Sequence, residues 1–288
     1  MSVVYEASPI KRVRRTKDEM EFLRESLFEI VIDDAPMTVR QVFYQAVSRG
    51  LVKKTEAQYG AVQRALADMR RSGKIPYRCI SDNTRFMRKP TTWSSLDAVL
   101  ENAAASYRRA VWDNQDAYVE IWLEKDALSG VLSDVTRKWD VPLMVTRGYS
   151  SLSFLHSAAE MIASQDRPCY LYYFGDYDPS GLDIDRKIEE TIRELAPAAD
   201  FTVERVAVNE SQIEEFHLPT RPTKKSDTRS KSFKGESVEL DAIPPALLRE
   251  LCSECILRHI DQRELQALRF AEQEEREQLR AWVDTFKG

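Results

Sequence analysis

Apolar positions three or four residues apart dominate the first third of the chain, the spacing of helices with one buried stripe. Met20, Leu23, Leu27 and Ile30 predict a helix over 17–32, halted by two aspartates and an Ala-Pro pair at 33–36. Thr38 is placed to cap a second helix with Val42, Phe43, Ala46 and Val47 on its stripe, and Gly50 suits its end. Tyr59, Val62, Leu66 and Met69 predict a third over 56–71, followed by a turn at 72–77 and a short extended piece over 77–81. After a linker containing Trp93 and a helix through 107–112, the rhythm changes. Four apolar, β-prone runs at 117–124, 142–148, 169–175 and 201–208 alternate with helical patterns over 126–138, 151–164 and 184–195. The segments 247–270 and 274–286 read as helices, with the acidic run 272–275 solvated.

Strands alternating with helices predict an α/β fold whose mostly parallel sheet is flanked by helices. Right-handed crossovers gather the strand C-termini along one edge, where such sheets bind ligands. Three short helices, a turn and an extended piece fit a winged helix-turn-helix. The expected organisation is a helical leader and winged-helix domain over 1–92, a linker helix over 93–115, and an α/β domain with a helical C-terminal extension over 116–288.

The composition narrows the class. With 288 residues, 43% hydrophobic and 31% charged, the chain is neither collagen-like nor wholly disordered. No run approaches the ~18 apolar residues of a membrane span, and the basic start has no apolar run behind it. Four scattered cysteines make no disulfide framework, so a reducing cytoplasm, in association with the nucleoid, is expected. Cys252, Cys255 and His259 have zinc-like spacing but sit in an apolar helical pattern and read as core.

The net charge of −5 speaks against a nucleic-acid partner until its distribution is read. Residues 37–90 hold twelve basic side chains against three acidic ones, so that segment is near +9 and the remainder near −14. Such asymmetry suits a polyanion. Arg64, Arg70, Arg71 and Lys74, along and after the third helix, are expected to contact the phosphates of double-stranded DNA, although a solvated helix face has the same look. The segment 221–235 carries six basic residues, Lys224 and Lys225 among them, against Asp227 alone, and is expected to be a loop that orders on DNA or simply a wet surface.

The acids carry the chemistry. Glu124, the Arg147-Gly148 turn, and Asp176 with Asp178 all fall at strand C-termini, so they are expected to converge. Three converging carboxylates repel one another unless a cation neutralises them, and hard oxygen donors suit Mg²⁺ or Mn²⁺. Residues i and i+2 at a strand end point the same way, so Asp176 and Asp178 can share an ion while Tyr177 points elsewhere. Asp178, just before Pro179, also fits a helix cap.

Leu123-Glu124-Lys125, Thr146-Arg147-Gly148-Tyr149 and Gly175-Asp176-Tyr177-Asp178-Pro179-Ser180-Gly181 resemble the three signature elements of a Toprim domain. The version is that of the A subunit of type IIB DNA topoisomerases (topoisomerase VI) and of the related meiotic double-strand-break protein. Residues 203–208 and 239–245 resemble segments that close that domain, and the similarity spans about 38–259. The resemblance implies a Toprim domain behind the winged helix, a homodimer, a separate ATPase subunit, and DNA cleavage by transesterification. It places Tyr44 as nucleophile, Arg40 as the arginine serving the phosphate, Glu124, Asp176 and Asp178 as Mg²⁺ ligands, and Arg147 beside the DNA. Arg40 and Tyr44 lie one helical turn apart, so both can meet one phosphate. The stretch 83–85 and the compact length depart from the topoisomerase subunit. Wadjet-type nucleases, which the chain also resembles, keep the metal site, lack the tyrosine and cut DNA with metal-activated water. A third expectation is a DNA-binding regulator that does not cut.

Overall fold

The structure, a computed structural model, describes residues 16–81, 90–222, 233 and 235–286. Three helices open it: α1 (Lys17–Asp34), α2 (Val39–Ser48) and α3 (Glu56–Arg71). Thr16 and Thr38 each form a capping box, with Glu19 and Gln41 respectively, so the polar residues before each stripe fix where the helices begin. Leu23, Leu27 and Ile30 are buried as expected, and so are Val42, Phe43, Ala46, Val62, Leu66 and Met69.

The extended piece expected over 77–81 is instead a 3₁₀ turn, Tyr77–Cys79, and its one ladder contact is a parallel bridge between Met37 and Ile80. Pro76 before it and the Cys79 N–H, bonded to Pro76 O at 3.0 Å, curl the chain too tightly for a strand. Among the described residues, then, the helices carry one bridge and no strand of a wing. A second correction concerns 107–112. Ser95 caps α4 (Leu96–Ser106) by accepting from the Ala98 N–H at 3.2 Å, and that helix ends before Tyr107.

The α/β part follows the expected order: β1 (Tyr118–Leu123), α5 (Ser129–Lys138), β2 (Leu143–Val145), α6 (Leu152–Ala163), β3 (Cys169–Phe174), α7 (Gly181–Leu195) and β4 (Phe201–Ala207). All pairings are parallel, in the order β2-β1-β3-β4. Alternation on β1 explains the two-sided packing. Val119, Ile121 and Leu123 face a core shared with α5, α9 (Pro245–Leu257) and the N-terminal helices, while Trp122 joins Leu171 and Tyr173 under α6 and α7. Cys252 and Cys255 are buried in the first of these cores, and His259 bonds the Tyr172 hydroxyl at 2.6 Å.

A short helix, α8 (Glu210–Glu215), follows β4, and α10 (Gln262–Phe286) completes the chain. The C-terminal break lies earlier than 270–274, because Asp261 Oδ1 accepts from the N–H groups of Arg263 (2.7 Å) and Glu264 (3.2 Å) and so starts a new helix. The acidic run is also more than solvated. Glu275 accepts from the Tyr107 hydroxyl at 2.6 Å and Glu272 from the Arg109 N–H at 2.9 Å, which pins the approach to β1. No described helix is long and apolar enough to cross a membrane.

Candidate active site

Parallel register brings the acids together. Leu123 pairs with Phe174, so the next residues, Glu124 and Gly175, emerge side by side at the sheet edge. Glu124 Oε2 accepts from the Asp176 N–H at 2.9 Å and from the Tyr173 hydroxyl at 3.4 Å. A Cβ at Gly175 would collide with the Tyr173 ring and this carboxylate, so only glycine leaves room for the contact. Burial, and then the charges of Asp176 and Asp178, push the Glu124 carboxyl up to about 7.

The loop 175–181 is held in shape from two sides. Tyr177 exchanges backbone hydrogen bonds with Val238, both at 2.9 Å, so Tyr177 turns to that segment and the chain at 237–241 runs along the loop. Arg205, from β4, reaches the carbonyls of Asp176 (3.2 Å) and Gly181 (2.5 Å) and pairs with Asp185 at 2.6 Å. Asp176 Oδ1 accepts from the Leu240 N–H at 2.8 Å and meets Lys125 Nζ at 2.9 Å. Asp178 Oδ1 accepts from the Gly181 N–H at 2.8 Å, the capping geometry at the start of α7, and its other oxygen is 3.7 Å from Arg221. Glu124, Asp176 and Asp178 are thus neighbours, each already engaged by a backbone N–H. Among the described residues no three His, Cys, Asp or Glu side chains stand in ligating array.

Two further acids enter with the 237–241 segment. Glu239 takes Arg40 on Oε2 at 2.8 Å and Arg221 on Oε1 at 2.6 Å, and Asp241 takes Lys125 at 2.8 Å. Burial would raise the Glu239 carboxyl, but Lys125, Arg40 and Arg221 outweigh it and hold the group below the usual glutamate range. Asp176 goes the other way, its burial prevailing over Lys125. Lys125, Glu239 and Asp241 were not expected among the functional residues, and Arg221, expected only as part of the basic 221–235 segment, turns to Glu239 and Asp178 instead. The signal was present for two of them: Glu239 and Asp241 repeat the i, i+2 spacing of Asp176 and Asp178.

The N-terminal helices reach this cluster through α2. Arg40 bridges to Glu239, and its guanidinium lies 5.7 Å from the centre of the Tyr59 ring. Tyr44, one turn on, is 3% exposed. Lys54 Nζ sits 5.0 Å from the centre of the Tyr44 ring and donates to the carbonyls of Pro219 and Thr220. Burial and Glu239 raise the Tyr44 phenol well above its ordinary value despite Lys125 and Arg40. Arg64, Arg71 and Lys74 are exposed, with no carboxylate paired to them among the described residues. Arg70 is half-buried against the Tyr77 ring, 4.8 Å from its centre, and is less free to meet a phosphate. Arg147 is 66% exposed and bonded to Asp126 at 2.7 Å. Lys224 and Lys225 lie outside the described residues.

The carboxylates of Glu124, Asp176 and Asp178 are donors of the kind a hard divalent cation takes, although among the described residues they do not stand in a ligating array. Glu124 stands where burial and like charge disfavour its ionised form, a demand that a cation beside it would relieve. Compared with known proteins, the chain matches no protein-family model and no curated sequence.

Proposed function

We propose that the chain is a divalent-metal-dependent, DNA-cleaving enzyme of the Toprim kind, with α1 to α3 as a winged-helix-like DNA cradle. One observation carries the reading: Arg40 bonds Glu239, Lys125 bonds both Glu239 and Asp176, and Asp176 bonds Glu124, so the helix bearing Tyr44 abuts the strand-end acids. A basic helix surface and an acid cluster made contiguous in this way suit phosphodiester chemistry, where one part holds phosphates and the other a metal.

In the transesterification reading, the Tyr44 phenolic oxygen bonds to phosphorus as the P–O bond to one deoxyribose breaks. The phenolic proton ends on the departing sugar oxygen, and no water is consumed. Arg40 orients the phosphate and offsets its charge. Glu124, Asp176 and Asp178 would hold a divalent ion, which when bound would supply Lewis-acid neutralisation of the phosphate oxygens. A homodimer and a separate ATPase subunit belong to this proposal through the resemblance.

A second reading, hydrolysis by water, is favoured by the burial and raised phenol of Tyr44, which must leave its packing before it can attack. One experiment separates the two: DNA is incubated with the full chain and Mg²⁺ or Mn²⁺, beside Tyr44→Phe and Asp176→Ala, and reactions are resolved with and without protease. Transesterification is expected to leave protein on DNA ends and to vanish in Tyr44→Phe. Free ends with an active Tyr44→Phe select hydrolysis, and no cleavage with either ion refutes both.

A further inference from the structure

The surface around the end of α3 is basic and carries an aromatic ring that the cleavage chemistry leaves unused. Between 61 and 80 stand Arg64, Arg70, Arg71, Lys74 and Arg78 against Asp68 alone, and Asp68 lies 3.9 Å from Arg24. Among the described residues no carboxylate pairs with any of these five cations. Tyr77 projects from this patch with 63% of its surface exposed.

The backbone under the ring is held on both sides. Ile75 is fully buried, and its N–H meets the Met69 carbonyl at 3.2 Å. Cys79 and Ile80 are buried as well, and the Met37 N–H donates to the Cys79 carbonyl at 3.2 Å. Only side-chain torsions then remain to be fixed when the ring meets a ligand, so little conformational entropy opposes the contact. Arg70 lies against the ring, its guanidinium carbon 4.8 Å from the ring centre, and its buried Nε has no hydrogen-bond partner among the described residues. A cation on one face of a largely exposed ring leaves the opposite face for a flat partner.

Charge decides which partner that is. The surrounding cations attract a polyanion, and a polyanion that also offers flat π-faces is a nucleic acid. In an intact duplex every base is covered by its neighbours, so a ring reaches a base face at little cost only where a base is unpaired.

We infer that Tyr77 is a stacking platform for an unpaired base, and that the DNA this chain prefers carries such a base beside a duplex, as at a bulge, fork or overhang. The inference rests on the DNA-cradle reading above and names its substrate class. Arg64, Arg71 and Lys74 hold the flanking phosphates, and the Arg70–Tyr77 pair takes the base.

The test compares two probes in excess chelator, so that nothing is cut: a duplex, and the same duplex with one bulged fluorescent adenine analogue whose emission falls on stacking. The full chain, Tyr77→Leu and Tyr77→Phe are titrated against both by anisotropy, with thermal melts to establish folding. Wild type is expected to bind the bulged probe about tenfold more tightly than the paired one, the size of one base–aromatic stack, and to quench the analogue. Tyr77→Phe is expected to do the same, and Tyr77→Leu to bind the two probes alike and leave the analogue bright. Equal affinity of wild type for both probes, an unquenched analogue, or a Tyr77→Leu that keeps the preference overturns the proposal. So does a Tyr77→Phe that behaves as Tyr77→Leu, because the hydroxyl and not the ring face is then the contact. If Tyr77→Leu does not fold, the wild-type and Tyr77→Phe results still decide. Failure of wild type to bind either probe has a different meaning, since it removes the DNA-cradle reading and the proposal with it.

Discussion

Replacing Glu124 with glutamine is expected to stabilise the metal-free protein at pH 8 and to add less than about 1 kcal/mol at pH 5. The carboxyl is raised from its ordinary 4.5 to about 7, by burial first and by Asp176 and Asp178 next. At about 1.4 kcal/mol per tenfold change, the folded state disfavours the ionised form by about 3 kcal/mol. Because the folded chain holds this proton more tightly than the unfolded chain, stability falls as pH rises from about 4.5 through about 7, and the penalty is complete above that window. Glutamine cannot ionise, and its amide oxygen can accept from the Asp176 N–H and the Tyr173 hydroxyl as the carboxylate does. The gain at pH 8 is therefore about 3 kcal/mol, or about 6 °C in melting temperature for a chain of this size. Urea unfolding in excess chelator at the two pH values measures it. Equal stability at pH 8, or the same gain at pH 5, refutes the reasoning, because either result means that Glu124 carries no strained charge.

Glu239→Gln is expected to act in the opposite direction, since it leaves Arg40, Arg221 and Lys125 short of a partner. A loss of about 3 kcal/mol at pH 7 is expected, fading as the pH falls through the depressed titration range of Glu239, and chemical denaturation against pH reads it. Changing Arg64, Arg71 and Lys74 together to alanine is expected to lower the salt slope of DNA binding by about 3 on double-logarithmic axes if each meets one phosphate, with little change in melting temperature. Fluorescence anisotropy across a salt series checks the slope, and an unchanged value takes these residues off the DNA.

The sheet was legible because its strands are β-prone, largely apolar stretches separated by helices, which predicted a mostly parallel order; the polar residues Glu120 in β1 and Thr202, Glu204 and Arg205 in β4 did not hide it, and all the pairings are parallel. The same logic put Glu124 beside Asp176, since both end neighbouring strands. Less legible was what lies against them. Lys125, Glu239 and Asp241 meet only because the Tyr177–Val238 bridge lays a distant segment along the loop, a contact that leaves no periodicity behind. Tyr44 shows a related limit: its place beside Phe43 announced packing as well as chemistry, and its burial against Lys54 and Glu239 came from a tertiary fit. The helix placed at 107–112 failed because Ser95 was a better start signal than the aromatic run, and the C-terminal break was misjudged for want of weight on Asp261.

One apolar cluster extends without interruption from Leu23 on α1, through Val42 and Leu66, to Ile121, Phe174 and Leu248. Warming therefore finds no seam along which the opening helices could part from the strands, and a calorimeter should record one melting event, not two.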